Sequence, residues 1–531
     1  MMSDNSLKER TAKGLIWGGL SNGLMQLIGA VFGMVLLVYL TPKDQGKVAV
    51  LYIFSAIASA MQESGFIAAL CNKKEPTHEE YNAVFWFNLM VGAALYIILW
   101  FCAPAIARFY EDPDLTALSR VLFLGFLLSS LGTVQRAYLF GHLMVKQTSI
   151  CSLTAMIISG IVGVTMAANK FAHWAIVSQA VCFVLVSQIM VWYFSPWRPT
   201  LPGGAGRQKR PEHSHTGSEP SPVTSQLSTL NSQLSTLTCQ LSTFLAPAWR
   251  MFGFSSKLML TNIVNICNLH AFSVLLGKFF GEHTAGIYST ARRWDDMASN
   301  TINGMVNGVA QPTLTQVKED IGRYRQVFRK MLRFTCFVTF PAMFGLSIIA
   351  QDFILLVGKE KWAECGTMLA ILCIHGAVVP ITTLYSNLTI SRGRSNVNMI
   401  CTVAQCLAVW TGLLLLYPKG LMSMVIYFIS LNVAWLAIWQ WWAKRLVGLR
   451  WREALKDILP FLVFTLMVHS FTWWVTTDIS VLWIRLLSRI VIAGVLYAGI
   501  MWLSGAKIMR ETIQYLAPHL LPRGGGKDVR P

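Results

Sequence analysis

Four charges and three asparagines crowd the stretch from Thr284 to Gln311: Arg292, Arg293, Asp295 and Asp296, then Asn300, Asn303 and Asn307. Guanidinium forks match the oxygens of phosphate and carboxylate, and amides can replace water around hydroxyl groups. Residues three and four apart share a helix face, which leaves two readings open for the arginines. Either they turn to an anionic ligand, or Arg292 pairs with Asp295 or Asp296 and Arg293 with Asp296, each neutralising the other. The amides likewise either line a polar cavity or join helices by hydrogen bonds. Asn262, Asn265 and Asn268, and Asn22 and Gln26 near the start of the chain, are further amides of this kind inside apolar runs.

The element that must position these residues is a membrane. Hydrophobic residues make up 54% of the 531 and charged ones only 13%, which excludes a soluble enzyme. The net charge of +19 sits mostly in short loops between apolar runs, where it orients the spans, so nucleic acid is not the expected partner. Eleven cysteines are scattered singly, without a CxxC pair or a histidine cluster. They read as small buried hydrophobes, and the sequence asks for neither a metal nor a cofactor. Lys8, Arg10 and Lys13 precede an apolar run, Gly14 to Leu40, that is too long for a signal-peptide core and stays attached as the first span.

Runs long enough to span the hydrocarbon fall near 14–40, 47–70, 82–104, 117–140, 148–168 and 172–195. After an interruption come 252–280, 284–311, 332–357, 363–390, 397–417, 420–442, 458–477 and 483–504, an expectation of about fourteen transmembrane helices in an all-α integral membrane protein. The stretch 284–311 fails on hydropathy alone. It is included because 195–250 and 312–334 are both basic, hence cytoplasmic, and the run 254–280 between them needs a return crossing. A helix so charged at membrane depth must face a watered, protein-lined cavity. The same bias puts both termini in the cytoplasm.

The outer loops are too short for a folded catalytic domain. Asp112-Pro113-Asp114 offers paired carboxylates, but in a Pro-containing turn with no nucleotide fold around it, so it reads as turn composition and no catalytic residue is assigned. Glu63 near the inner end of the second span either carries a coupling proton or snorkels to the surface. Arg136 and Lys257, at inner helix ends, either meet an incoming anion or simply anchor the spans.

Residues 198–246 are a cytoplasmic low-complexity linker containing SQLSTLN, SQLSTLT and CQLSTF, with Leu227, Leu230, Leu234, Leu237 and Leu241 at heptad spacing. A shift of 240 residues lays Leu20-Ser21-Asn22 on Leu260-Thr261-Asn262 and Gly46 on Gly286. The chain then divides into six-helix bundles at 1–197 and 247–442, with 443–531 adding two transmembrane helices and a tail. Repeated bundles are the architecture of alternating-access transporters.

Leu40-Thr41-Pro42-Lys43-Asp44-Gln45-Gly46, Glu63 to Leu70, Phe85-Trp86-Phe87-Asn88, Leu276 to Gly281 and Gly286-Ile287-Tyr288-Ser289 occur in an order and spacing that resemble the Wzx-type polysaccharide and O-antigen flippases of the multidrug, oligosaccharidyl-lipid and polysaccharide exporter superfamily. The resemblance covers residues 7 to about 505 except the linker, which is longer than the family's usual connection. It implies two MATE-like bundles in a bacterial inner membrane that move an undecaprenyl-pyrophosphate-linked oligosaccharide outward for capsule, exopolysaccharide or lipopolysaccharide. It also implies lipid-linked oligosaccharide and membrane lipids as partners, with polysaccharide polymerase machinery a further candidate. A cation-coupled multidrug exporter of the same fold and a peptidoglycan-precursor flippase are the alternatives. A membrane-embedded polymerase or ligase would want the outer loop that this chain lacks.

Overall fold

The computed structural model describes residues 4–63, 76–142, 144–200 and 272–503, together with 263, 264, 266, 267 and 270, and backbone alone for 4–20, 60–63, 309, 311 and 312. Every element among them is helical. An apolar chain in hydrocarbon has no water to take up its N–H and C=O groups, so each span satisfies them within itself. In order the helices are α1 (Asp4–Tyr39), α2 (Pro42–Glu63), α3 (His78–Tyr110), α4 (Asp114–Ser130), α5 (Thr133–Gly141), α6 (Val145–Ala168), α7 (His173–Phe194), α8 (Gly281–Gln316), α9 (Ile321–Gly358), α10 (Ala363–Ser391), α11 (Ser395–Leu416), α12 (Leu421–Val447), α13 (Trp451–Thr476) and α14 (Leu482–Leu503).

Ten of these are long and apolar enough to cross a membrane, or eleven if α4 and α5, bent by 46°, make one broken span. The protein is a multi-pass membrane protein. The expected fourteen spans are not all met by that standard. α2 and α8 do not pass it, and most of 252–280 lies outside the described residues, as do the heptad linker and the tail after 503.

Local chemistry sets the helix ends. Thr77 opens α3 with a capping box, its hydroxyl accepting from the Glu80 N–H while Glu80 Oε2 accepts from the Thr77 N–H at 3.0 Å. Asp320 caps α9 by accepting from the Arg323 N–H at 3.0 Å. Asp112 Oδ1 accepts from the Asp114 N–H at 3.0 Å, so the Asp112 carboxylate serves its own turn.

The chain packs as two compact units, Met1–Phe32 with Leu51–His270 and Gly33–Val50 with Ala271–Pro531. In the first, α3 packs on α4, α6 on α7 and α4 on α7. The segment after α7 folds back on the start of α3, where Asn82 Nδ2 donates to Thr200 Oγ1 and Trp86 Nε1 to the Thr200 carbonyl, both at 2.9 Å. Trp197 joins Tyr81 and Phe85 in a buried aromatic cluster beneath that strap.

In the second unit α10 is central, flanked by α8, α9 and α12, while α13 and α14 lie against α9. Residues 33–50, the end of α1, the turn and the start of α2, belong here. Trp362 Nε1 donates to the carbonyls of Leu37 and Leu40 at 3.1 and 3.3 Å. The starts of α2 and α8 cross at Gly46 and Gly286, the pair that the 240-residue shift aligns. A Cβ on Gly46 would fall within 3.0 Å of the Glu282 carbonyl, and one on Gly286 within 3.0 Å of the Pro42 carbonyl and the Gly46 nitrogen.

Two ion-pair clusters fasten the last helices to α9. Near one end, Arg329 Nε and Nη2 donate to Asp457 at 2.6 and 3.2 Å, with Glu453 3.4 Å from Nη1. Near the other, Arg485 Nη2 and Arg489 Nη1 each donate to the buried Asp352 at 2.7 Å. Arg489 also donates to Thr476 Oγ1 and the Ile348 carbonyl. These pairs escaped the sequence reading; for Asp352, Arg485 and Arg489, charges inside apolar runs were the available clue.

Candidate functional site

The polar stretch 284–311 folds as part of one helix, α8, about 54 Å long at the standard rise. Two contacts fix its depth. Asp295 lies against Gly376 and His375 of α10, and twelve residues on, Asn307 Oδ1 accepts from Asn387 Nδ2 at 2.8 Å, Asn387 being twelve residues beyond His375. α8 and α10 therefore run parallel over at least ~18 Å. Residues Glu360–Ser391 are one of the apolar spans, so α8 occupies membrane depth beside it despite its composition.

Packing divides the charges of α8 between two faces. On the inner face Asp295 is fully buried, and neither carboxylate oxygen accepts a hydrogen bond from a described residue. Gly376 leaves the room that its carboxylate fills. Arg292 bends back along its own helix, with Nε 3.0 Å from Asp296 Oδ1 in a charge contact and Nη1 4.0 Å from Asp295 Oδ2. Nη1 also lies 3.1 Å from His375 Nδ1. His375 itself is 3.7 Å from Asp295 and stacked on Phe428, with ring centroids 5.0 Å apart. Phe272 extends this wall by stacking on Tyr288, one turn before Arg292. A net charge of −1 from one arginine and two aspartates thus sits beside a histidine, in a largely desolvated pocket.

The outer face is different. Arg293 is exposed and makes no ion pair among the described residues; its guanidinium passes the end of α1 at Gly33. Asn300, Thr301, Gly304, Asn307 and Gly308 continue the exposed face, and between Arg293 and Gly308 only Met305 exposes a large apolar side chain. Asn303 is half-buried, with Oδ1 lacking a hydrogen-bond partner. On α14 the exposed residues include Leu487, Ile490, Val491 and Val495, the side chains a lipid-facing surface needs. The exposed stripe of α8 has the opposite character and suits water.

The other expected residues are dispersed. Asn22 is exposed and Gln26 half-buried on α1, in the first unit. Arg136 lies on α5 of that same unit, beside a cavity. Glu63 ends α2, but its side chain, like Asn262, Asn265, Asn268 and Lys257, lies outside the described residues. His375 was overlooked in the sequence; a lone histidine in the middle of an apolar run was the signal that could have found it.

Comparison with known proteins adds to this geometry. A family model described as polysaccharide biosynthesis protein matches residues 35–210 and 223–367. The lipopolysaccharide biosynthesis protein WzxC of Escherichia coli (strain K12) is 23% identical over 393 residues, covering 74% of this chain and 72% of that protein. The teichuronic acid biosynthesis protein TuaB of Bacillus subtilis (strain 168) is 23% identical over 438 residues, covering 81% and 80%. Among solved structures, the lipid II flippase MurJ in an inward closed conformation superposes with a TM-score of 0.67 at 12% identity, covering 92% of this chain and 99% of that one.

Proposed function

The chain belongs to the polysaccharide biosynthesis protein family, and from that premise we propose that it carries a lipid-linked oligosaccharide across a bacterial inner membrane by alternating access, making and breaking no bond. The observation that carries this reading is the exposed polar stripe of α8 at the depth of an apolar span. A lipid-linked glycan presents an anionic phosphate-bearing head, a hydroxyl-rich sugar chain and an apolar tail. The tail stays in lipid, while the first two need a wet wall of cations, amides and little bulk. Arg293 supplies the cation, Asn300, Asn303 and Asn307 supply amides, and Gly304 and Gly308 leave room.

Arg292 takes a supporting part, because its charge is already engaged by Asp296 and Asp295. It holds the α8 backbone against α10, so that its neighbour projects to the stripe. A likeness to a lipid II flippase and a family of polysaccharide biosynthesis proteins agree in chemistry, since both concern sugars on lipid carriers. We favour the polysaccharide precursor over a peptidoglycan precursor because the family match covers most of the chain, whereas the MurJ likeness is one of fold. An exposed arginine on the stripe disfavours a carrier of cationic drugs. The basic loops favour cytoplasmic termini, and a precursor made inside and used outside sets the direction as outward.

The test is complementation of a deletion strain, reading surface polysaccharide together with the lipid-linked glycan retained inside. Arg293→Gln should cut export at least tenfold at unchanged protein level, and Arg293→Lys should restore part of it. Full export by Arg293→Gln and by Asn300→Leu alike would remove the stripe from the transport path.

A further inference from the structure

A second polar concavity lies wholly within the first unit, apart from α8. The span beginning at Asp114 breaks between Ser130 and Thr133, and α5 resumes at 46°. Gly132, the N-cap of α5, offers no side chain to the N–H groups at its start, so that end keeps its partial positive charge. Beside the break is a cavity of about 240 Å³. Its polar lining comes from Tyr52, Ser55 and Ser59 of α2, Ser129 of α4, Arg136 of α5, and Ser187 and Gln188 of α7. No described residue lining it is acidic.

Gln188 is only 5% exposed, and its Oε1 has no hydrogen-bond partner among the described residues. It occupies the place that a Cβ on residue 132 would take, so the glycine at the break is what admits the amide. The Ser55 hydroxyl is likewise buried and unpartnered. Leaving such groups unsatisfied at membrane depth is costly, which points to a ligand that satisfies them. A guanidinium, several hydroxyls and a helix start are donors, while Gln188 Oε1 accepts. The complementary ligand is anionic, rich in acceptor oxygens, and carries one O–H of its own. A cavity below the usual ligand-pocket range of about 300–1,000 Å³ does not take an oligosaccharide.

We infer that this cavity binds a single phosphoryl group, held by Arg136 and the serine hydroxyls, with a hydroxyl of the ligand donating to Gln188, either the P–OH of free phosphate or a headgroup alcohol of an anionic lipid. The group comes either from free phosphate or from the headgroup of an anionic lipid reaching the broken span from the side. This second anion site does not depend on the role given to α8.

The test uses the full-length purified protein and follows its thermal midpoint. One arm titrates inorganic phosphate in detergent. The other compares nanodiscs of phosphatidylglycerol with nanodiscs of phosphatidylcholine. A rise in the first arm identifies free phosphate, and a rise confined to phosphatidylglycerol identifies a lipid headgroup. In either case R136Q should weaken the apparent affinity about tenfold or more, as loss of a charge-assisted hydrogen bond does. Q188E, which keeps the shape but adds a repelling charge, should do the same, while Arg293→Gln should leave the response intact. Absence of a response in both arms with the wild-type protein overturns the proposal, and so does a wild-type response in either variant. Should R136Q fail to fold, Q188E decides alone.

Discussion

The Gly46 and Gly286 crossing yields the most direct quantitative prediction. An added methyl on either glycine meets backbone, which cannot rotate away as a side chain can, at under 3.0 Å where ordinary contact begins at 3.4 Å. The starts of α2 and α8 must then part by on the order of an ångström, and overpacking of this kind costs about 1–3 kcal/mol. Gly286→Ala should therefore lower the thermal midpoint of the purified protein. Gly499→Ala in α14, where the new Cβ meets nothing within 4 Å, should raise it slightly, by the roughly 0.5–1 kcal/mol that alanine gains over glycine in a helix. Once the helices have parted for one methyl, the second costs less. Gly46→Ala with Gly286→Ala should thus fall short of the sum of the singles by about 1 kcal/mol, within the range of coupling for touching residues. Calorimetry or intrinsic fluorescence on the four variants suffices. Strict additivity, or a Gly286→Ala midpoint equal to wild type, would refute the claim that the aligned glycines meet at one crossing.

Two further perturbations test the ion pairs. Asp352→Ala leaves Arg489, 6% exposed, with only Thr476 and a carbonyl for company, and breaking a buried pair costs about 3–5 kcal/mol; replacing Asp352, Arg485 and Arg489 together by leucine or methionine should be close to neutral, and equal destabilisation by both changes in a melting experiment would contradict the clamp. Arg292→Gln should destabilise the protein by about 3–5 kcal/mol, because Asp295 is fully buried and loses its cation, and His375→Leu made in that background should not recover it; a variant that melts like wild type but fails to export would move Arg292 from support to ligand contact.

Much of the helical frame could be read along the chain. The expected span 363–390 is helix Ala363–Ser391, and 148–168 is Val145–Ala168, because a run of apolar residues bounded by polar loops has one way to satisfy its backbone in lipid. The stretch 284–311, which hydropathy rejects, was expected as a helix from the basic segments around it and lies within α8, Gly281–Gln316. The shift that aligned Gly46 with Gly286 picked out two glycines that lie close together in the second unit.

What remained illegible was rotation and partnership. Arg292 and Arg293 are adjacent and chemically identical, yet a helix turns its side chains by about 100° between them. One is folded against Asp296 and His375 while the other stands on the exposed stripe, and no property of the two residues themselves chooses between those fates. His375 and Asp295 are eighty residues apart, and Asp352 and Arg489 further still. Hydropathy and helical period are local quantities that the order of residues settles. Which buried charge meets which partner depends on how helices distant in the chain pack, and that is settled only when the whole unit has formed.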